Sequence, residues 1–212
     1  MWYVLDAADF TRLRIMKIWT TAILVILSVL LAMGGYAQNG ESPNDNLIYI
    51  TAVDWSSDGN KIVAAGIQPP GVIGYLHVID VETGQSIYEL EPRPGGFASV
   101  AWSPDDRYIA AGGYDQVVWV VDMEERSHVA TLWGHQATVS SIDWNPDGTR
   151  LISGGNWDGL VILWDMNTYE QIHSIYIGNP WSVAFSPDGE RVAIGSQSGL
   201  FVIPSTLEVG ES

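Results

Sequence analysis

Beyond its N-terminal segment the chain is predicted to be all-β, and three observations carry that prediction. A seven-residue motif recurs four times at nearly constant spacing. Each copy is followed by the same succession of apolar runs and turn residues. The composition, with 22 glycines, 10 tryptophans and only 16% charged residues, suits many short strands joined by tight turns. At 212 residues the chain is long enough to bury a substantial core.

Residues 1–37 read as an N-terminal extension and secretory signal. Ile18 to Met33 is an uncharged apolar stretch, preceded by Arg12, Arg14 and Lys17 and followed by Gly35, Tyr36 and Ala37. A positive region, a short apolar core and small residues before a polar stretch predict cleavage after Ala37. Read from Met16 the signal has ordinary length, which makes Met16 a candidate start. The alternative is an uncleaved membrane anchor, although a spanning helix takes about 20 apolar residues. Residues 38–47 read as a linker.

The four units follow in 48–212. Their motifs are Val53-Asp-Trp-Ser-Ser-Asp-Gly59, Val100-Ala-Trp-Ser-Pro-Asp-Asp106, Ile142-Asp-Trp-Asn-Pro-Asp-Gly148 and Val183-Ala-Phe-Ser-Pro-Asp-Gly189. The Asp-Gly and Asp-Asp steps tolerate the positive φ of a tight turn, so each motif predicts a hairpin into the next apolar run. Those runs are Ile62–Gly66, Ile109–Gly113, Leu151–Gly155 and Val192–Ser196. Third runs follow at Tyr75–Ile79, Val117–Val121, Leu160–Trp164 and Leu200–Ile203, and more polar fourth runs at Gln85–Leu90, Ser127–Leu132 and Gln171–Ile177. Four strands in some 42 residues make one propeller blade. The blades are expected near 48–90, 97–132, 138–177 and 181–212.

The pattern resembles the WD-repeat (WD40) β-propeller family over residues 48 to about 205. The third unit matches best, with Gly134-His135, Ser153, Asp158 and Trp164-Asp165. The resemblance implies that His135, Ser153, Asp158 and Trp164 form a hydrogen-bonded tetrad tying the strands of that blade together. In the other units Ala64, Ala111 and Ile194 stand for Ser153, and Ile79, Val121 and Pro204 stand for Trp164, so those blades are expected to rely on apolar packing. Typical members of the family close a ring with about seven units. Four units predict an incomplete or half propeller, with homodimerisation as one way to complete it.

No motif predicts catalysis, a cofactor or a metal. Asp143-Trp-Asn145-Pro-Asp147-Gly148 and Asp54-Trp-Ser56-Ser-Asp58-Gly59 imitate the first half of a calcium loop, but the position needing a bidentate glutamate holds Gly154 or Ala65. His77, His128, His135 and His173 have no ligand spacing. The absence of cysteine excludes disulfides and thiolate chemistry. Residues 38–212 carry 6 basic and 23 acidic side chains, a balance that opposes nucleic acid as a partner.

Loops between second and third strands, and between fourth strands and the next blade, share the end that WD-type blades use for partners. They place Tyr114, Trp157, Arg93, Phe97, Trp133 and Trp181 as candidate partner-binding residues, since aromatic and Arg side chains on rigid loops supply binding hot spots. The expected function is a non-catalytic protein- or peptide-binding scaffold outside the cytoplasm, periplasmic or secreted, touching membrane only through an uncleaved N-terminal segment. The alternatives are a truncated fragment of a longer propeller without independent function, and a propeller hydrolase with a site at the channel mouth.

Overall fold

The computed structural model describes residues 48–68 and 73–207. The N-terminal extension, the candidate start at Met16 and the linker lie outside the described residues, and all four repeat motifs lie within them. Within the described residues all regular structure is β, in four antiparallel sheets.

The first sheet holds β1 (Tyr49–Trp55), β2 (Lys61–Gln68), β3 (Ile73–Asp80) and β4 (Ser86–Glu89), with the short β5 (Arg93–Pro94) also on β3. The second holds β6 (Phe97–Trp102), β7 (Tyr108–Gly113), β8 (Val117–Asp122) and β9 (Ser127–Trp133). The third holds β10 (Val139–Trp144), β11 (Arg150–Gly155), β12 (Leu160–Asp165) and β13 (Glu170–Tyr176). The fourth holds β14 (Pro180–Phe185), β15 (Arg191–Ser196) and β16 (Gly199–Pro204). Strands pair in chain order, as hairpin-linked strands do.

Each first hairpin turns on the recurring motif. Gly59, Gly148 and Gly189 take φ of 70°, 73° and 73°, and Asp106 takes 60° in the second sheet. Every such turn is also locked by its own aspartate: Asp58 accepts from the Ser56 hydroxyl at 2.7 Å, Asp105 from Ser103 at 2.6 Å, and Asp147 from the Asn145 amide at 2.6 Å. Hydroxyl donors, Ser56 on Asp58, Thr149 on Asp147 and Ser186 on Asp188, hold these carboxyls below the usual carboxylate range. The motif acids are therefore turn locks.

Every first strand also carries a bulge at the same place, at Thr51, Ala98, Ser140 and Trp181. With the bulges counted, the register superposes Val53, Val100, Ile142 and Val183, and likewise Trp55, Trp102, Trp144 and Phe185. In the third strands Trp164 corresponds to Ile79, Val121 and Ile203, because Val192 pairs with Ile203 as Leu151 pairs with Trp164. The sequence reading set Pro204 there. A strand run with period two has no internal mark of register, so a one-residue slip is easily made.

Alternate residues of each sheet face opposite neighbours. Leu76 and Val78 pack on Val100, Trp102 and Ile109 of the second sheet. Val118 and Val120 pack on Ile142, Trp144 and Leu151 of the third, and Val161 and Leu163 on Val183, Val192 and Ile194 of the fourth. The core is thus three interfaces between successive blades. This explains the near-continuous apolar runs, since the middle strands are covered on both faces.

Candidate protein-interaction face

The loops singled out in the sequence share one end of the sheets, where second strands finish and third strands begin. At the third blade Asp158 and His135 pair through Nδ1 at 2.9 Å, and His135 Nε2 meets Ser153 Oγ at 2.8 Å. Trp164 Nε1 donates to the same Ser153 oxygen at 2.8 Å. One assignment satisfies the set: Nδ1–H donates to Asp158, the Ser153 hydroxyl donates to Nε2, and the Ser153 oxygen accepts from Trp164. Asp158 also accepts from the backbone N–H groups of Gln136 and Leu160, both at 2.9 Å. Burial raises the Asp158 pKa, but the bonds from His135, Leu160 and Gln136 together outweigh it and leave the carboxyl low.

His135 stands in the loop entering the third blade and Asp158 in that blade's own turn, so the pair latches two loops together. The second blade carries a pair at the same two places in other residue types, and the fourth a hydrogen bond between its corresponding loops. At the second blade Arg93 pairs with Asp115, and its guanidinium lies 3.2 Å from the Trp119 ring centroid. At the fourth Asn179 Nδ2 donates to Gln197 Oε1 at 2.9 Å. Those two blades carry buried or half-buried apolar residues at the places of Ser153 and Trp164, and the second adds the Arg93–Asp115 pair at its loops. The sequence signal was present but unread: Arg93 and Asp115 occupy the loops that hold His135 and Asp158. Burial pushes the Arg93 pKa down to about 10 and raises that of Asp115, so desolvation outweighs the pair's mutual attraction.

Arg93 and Phe97 consequently leave the set of partner-binding candidates. Arg93 is held inside the latch, and Phe97 is fully buried beneath it in the core of the first interface. Phe97 follows Gly95 and Gly96 and so reads as loop, yet it begins an inner strand.

The remaining candidates are exposed. Trp157 is 78% and Trp133 75% accessible, and Tyr114 and Trp181 are also open. Trp133 lies two residues before His135 and Trp157 one before Asp158, so the latch brings their loops together. Trp157 adopts φ of 81°, a conformation costly for a bulky residue and held here by the flanking bonds. The sequence reading missed Tyr176, equally exposed, whose ring covers Gly159 in the Trp157 turn. Its signal was positional: Tyr176 pairs with Leu160 as Trp133 pairs with Val117.

At the opposite end, a shallow cleft of about 460 Å³ includes Lys61, Asp106, Arg107 and Met123 among its walls. Asp106 is engaged there by the Ser57 and Asp58 backbone, and Arg107 by Asp122. Among the described residues no group of three or more His, Cys, Asp or Glu side chains is disposed to hold a metal. Nor is any described helix long and apolar enough to cross a membrane.

Four blade-like antiparallel sheets in repeated order, packed face to face, define a propeller-type frame. The family model for the WD domain, G-beta repeat, matches residues 84–122, 126–165 and 170–203, more than half of the chain, and the chain belongs to the WD-repeat family. It is 32% identical over 57% of its length to anaphase-promoting complex subunit cdc20 of Dictyostelium discoideum, covering 23% of that protein. It is 37% identical over 48% of its length to a guanine nucleotide-binding protein subunit beta of Arabidopsis thaliana, covering 28% of it. Transcription factor unc-37 of Caenorhabditis elegans is 28% identical over 74% of this chain and 25% of its own length. The chain thus spans about a quarter of the length of these relatives.

Proposed function

We propose that the chain is a non-catalytic scaffold that binds a protein or peptide through the end of its blades carrying Trp133, Trp157 and Tyr176. One observation carries this reading: two tryptophans and a tyrosine are exposed at one end of the sheets, Trp133 and Tyr176 at the ends of their strands and Trp157 in the turn that the His135–Asp158 pair ties down. Large aromatic side chains on a preorganised support add contact area at small entropic cost. Two of the relatives are named as subunits, which supports a role in protein assembly. The order of a basic region, an apolar stretch and small residues in 1–37 supports export, with the blades released or held at a membrane outside the cytoplasm.

The test is affinity capture on the full chain, followed by titration of each captured protein, purified, against wild type and a Trp133→Ala/Trp157→Ala double variant. The expected result is a partner whose affinity falls by about 100-fold or more, as for a pair of hot-spot residues. Unchanged affinity for every captured partner refutes the assignment of this face. N-terminal sequencing of exported material tests the export reading, with Gln38 expected as the first residue if the signal is removed.

A further inference from the structure

The cleft at the turn end of the first two blades lies where the next junction is filled by side chains, and strand register makes the comparison residue by residue. Lys61 pairs with Asp80 as Tyr108 pairs with Asp122. Arg126 precedes the strand that opens at Ser127, and Tyr169 the one that opens at Glu170. Both take positive φ, 53° and 59°. Trp102 and Trp144 share one position of their first strands, and Met123 and Met166 directly follow their third.

Between the second and third blades the place is solid. Tyr108 stacks on Trp144 with centroids 6.3 Å apart and planes 19° apart, Tyr169 packs on the same cluster, and Met166 is buried. The Trp144 indole N–H donates to Ala101 O at 3.2 Å. Between the first and second blades Lys61 and Arg126 stand in place of the two tyrosines, and the space between them is open. Met123 is only half-buried there, and the buried indole N–H of Trp102 has no acceptor. The junction thus lacks two rings that its neighbour has, and its cleft of about 460 Å³ has the size of a small-ligand site.

Charge decides what enters. Asp106 accepts from the Ser57 N–H and hydroxyl and from the Asp58 N–H, and Asp105 from the Ser103 hydroxyl and the Arg107 N–H. Arg107 is bonded to Asp122 at 3.0 Å with Glu124 at 3.9 Å, and Lys61 lies 3.6 Å from Asp58. Arg126 has no hydrogen bond or ion pair among the described residues. Its guanidinium is therefore free to meet a carboxylate with two parallel bonds.

We propose that this cleft binds a small aromatic carboxylate, the ring lying among Ile87, Trp102 and Met123 and the carboxylate on Arg126. The ring takes the place that a tyrosine takes in the next junction, and the single negative charge matches the one unengaged cation of the wall. The inference is independent of what the aromatic end of the blades binds, since the two sites lie at opposite ends of the sheets.

The experiment is titration of the full chain with 4-hydroxyphenylacetate, a tyrosine-like ring carrying a carboxylate, followed by the indole ¹H–¹⁵N signals, with that of Trp102 assigned from Trp102→Phe. The expected result is a saturable shift of the Trp102 signal, with Arg126→Gln, on an exposed turn, weakening the affinity by about 10-fold or more. Acetate and 4-methylphenol, which lack the ring and the charge respectively, are expected to bind at least about 10-fold more weakly. Lys61→Tyr copies Tyr108 and is expected to abolish the saturable shift while the melting temperature holds or rises. No saturable shift up to the solubility limit overturns the proposal. So does unchanged affinity in Arg126→Gln or in a folded Lys61→Tyr variant, or equal binding of acetate or 4-methylphenol.

Discussion

Replacing Ser153 with alanine deletes one oxygen and breaks both ends of a buried relay. Ser153 is fully buried and its hydroxyl is the acceptor for Trp164 Nε1 and the partner of His135 Nε2. Trp164 is 1% exposed and the His135 side chain equally so, and the alanine brings no substitute partner. A buried polar group left without its partner costs about 1–3 kcal/mol, so two of them cost about 2–6 kcal/mol in all. For a domain of this size that lowers the melting temperature by about 5–15 °C. Chemical denaturation monitored by tryptophan fluorescence and calorimetry reads both quantities. Trp164→Phe removes the same donor, and the Ser153→Ala/Trp164→Phe double variant is expected to lose less than the sum of the singles. A Ser153→Ala loss under about 0.5 kcal/mol, or strict additivity in the double variant, refutes the relay as a stabilising unit.

Other substitutions separate the roles of neighbouring groups. Arg93→Ala leaves Asp115 without its cation and is expected to destabilise by about 2–4 kcal/mol, with part of the loss recovered in Arg93→Ala/Asp115→Ala; thermal melts of both variants check this. Trp157→Gly relieves a positive-φ tryptophan and is expected to leave stability unchanged or raise it by about 1 kcal/mol while weakening partner binding by about 10-fold or more, measured by melts and titration. Burial raises the Asp143 pKa more than its bonds to Phe185 and Trp144 lower it. Its ionisation is therefore costlier in the fold than in the unfolded chain, and this contribution to stability falls as pH rises from about 4 through the raised folded value. Asp143→Asn, which keeps an acceptor for Phe185 N–H, is expected to remove that fall; denaturant curves between pH 4 and 8 decide it. Asp158 has the opposite sign, its contribution being complete above about pH 4 and lost as pH drops through its lowered folded value. Asp158→Asn should flatten the acid limb of the same curves.

The repeat was legible because its marks are covalently local. Asp-Gly turns and the aromatic residue before them lie within seven residues, and turn chemistry fixes hairpins without help from the rest of the chain. Trp157 was legible as exposed because Asn156 and Asp158 flank it with turn residues. What depends on residues distant in sequence was harder to read. The Arg93–Asp115 pair keeps the position of His135–Asp158 but changes the side chains, so a search by residue type passes over it. Phe97 and Trp133 carry the same surface ambiguity, a large aromatic beside glycine, and only packing against the preceding blade marks Phe97 as the buried one.

The most direct test of the binding role is hydrogen–deuterium exchange on the chain with and without a captured partner. The account predicts slowed exchange in peptides spanning Tyr114, Trp133 to Gln136, Trp157 to Leu160 and Tyr176, with the turns at residues 57–60, 103–107, 145–149 and 186–190 unchanged. Protection confined to those turns, with the aromatic loops exchanging as in the free chain, would contradict it.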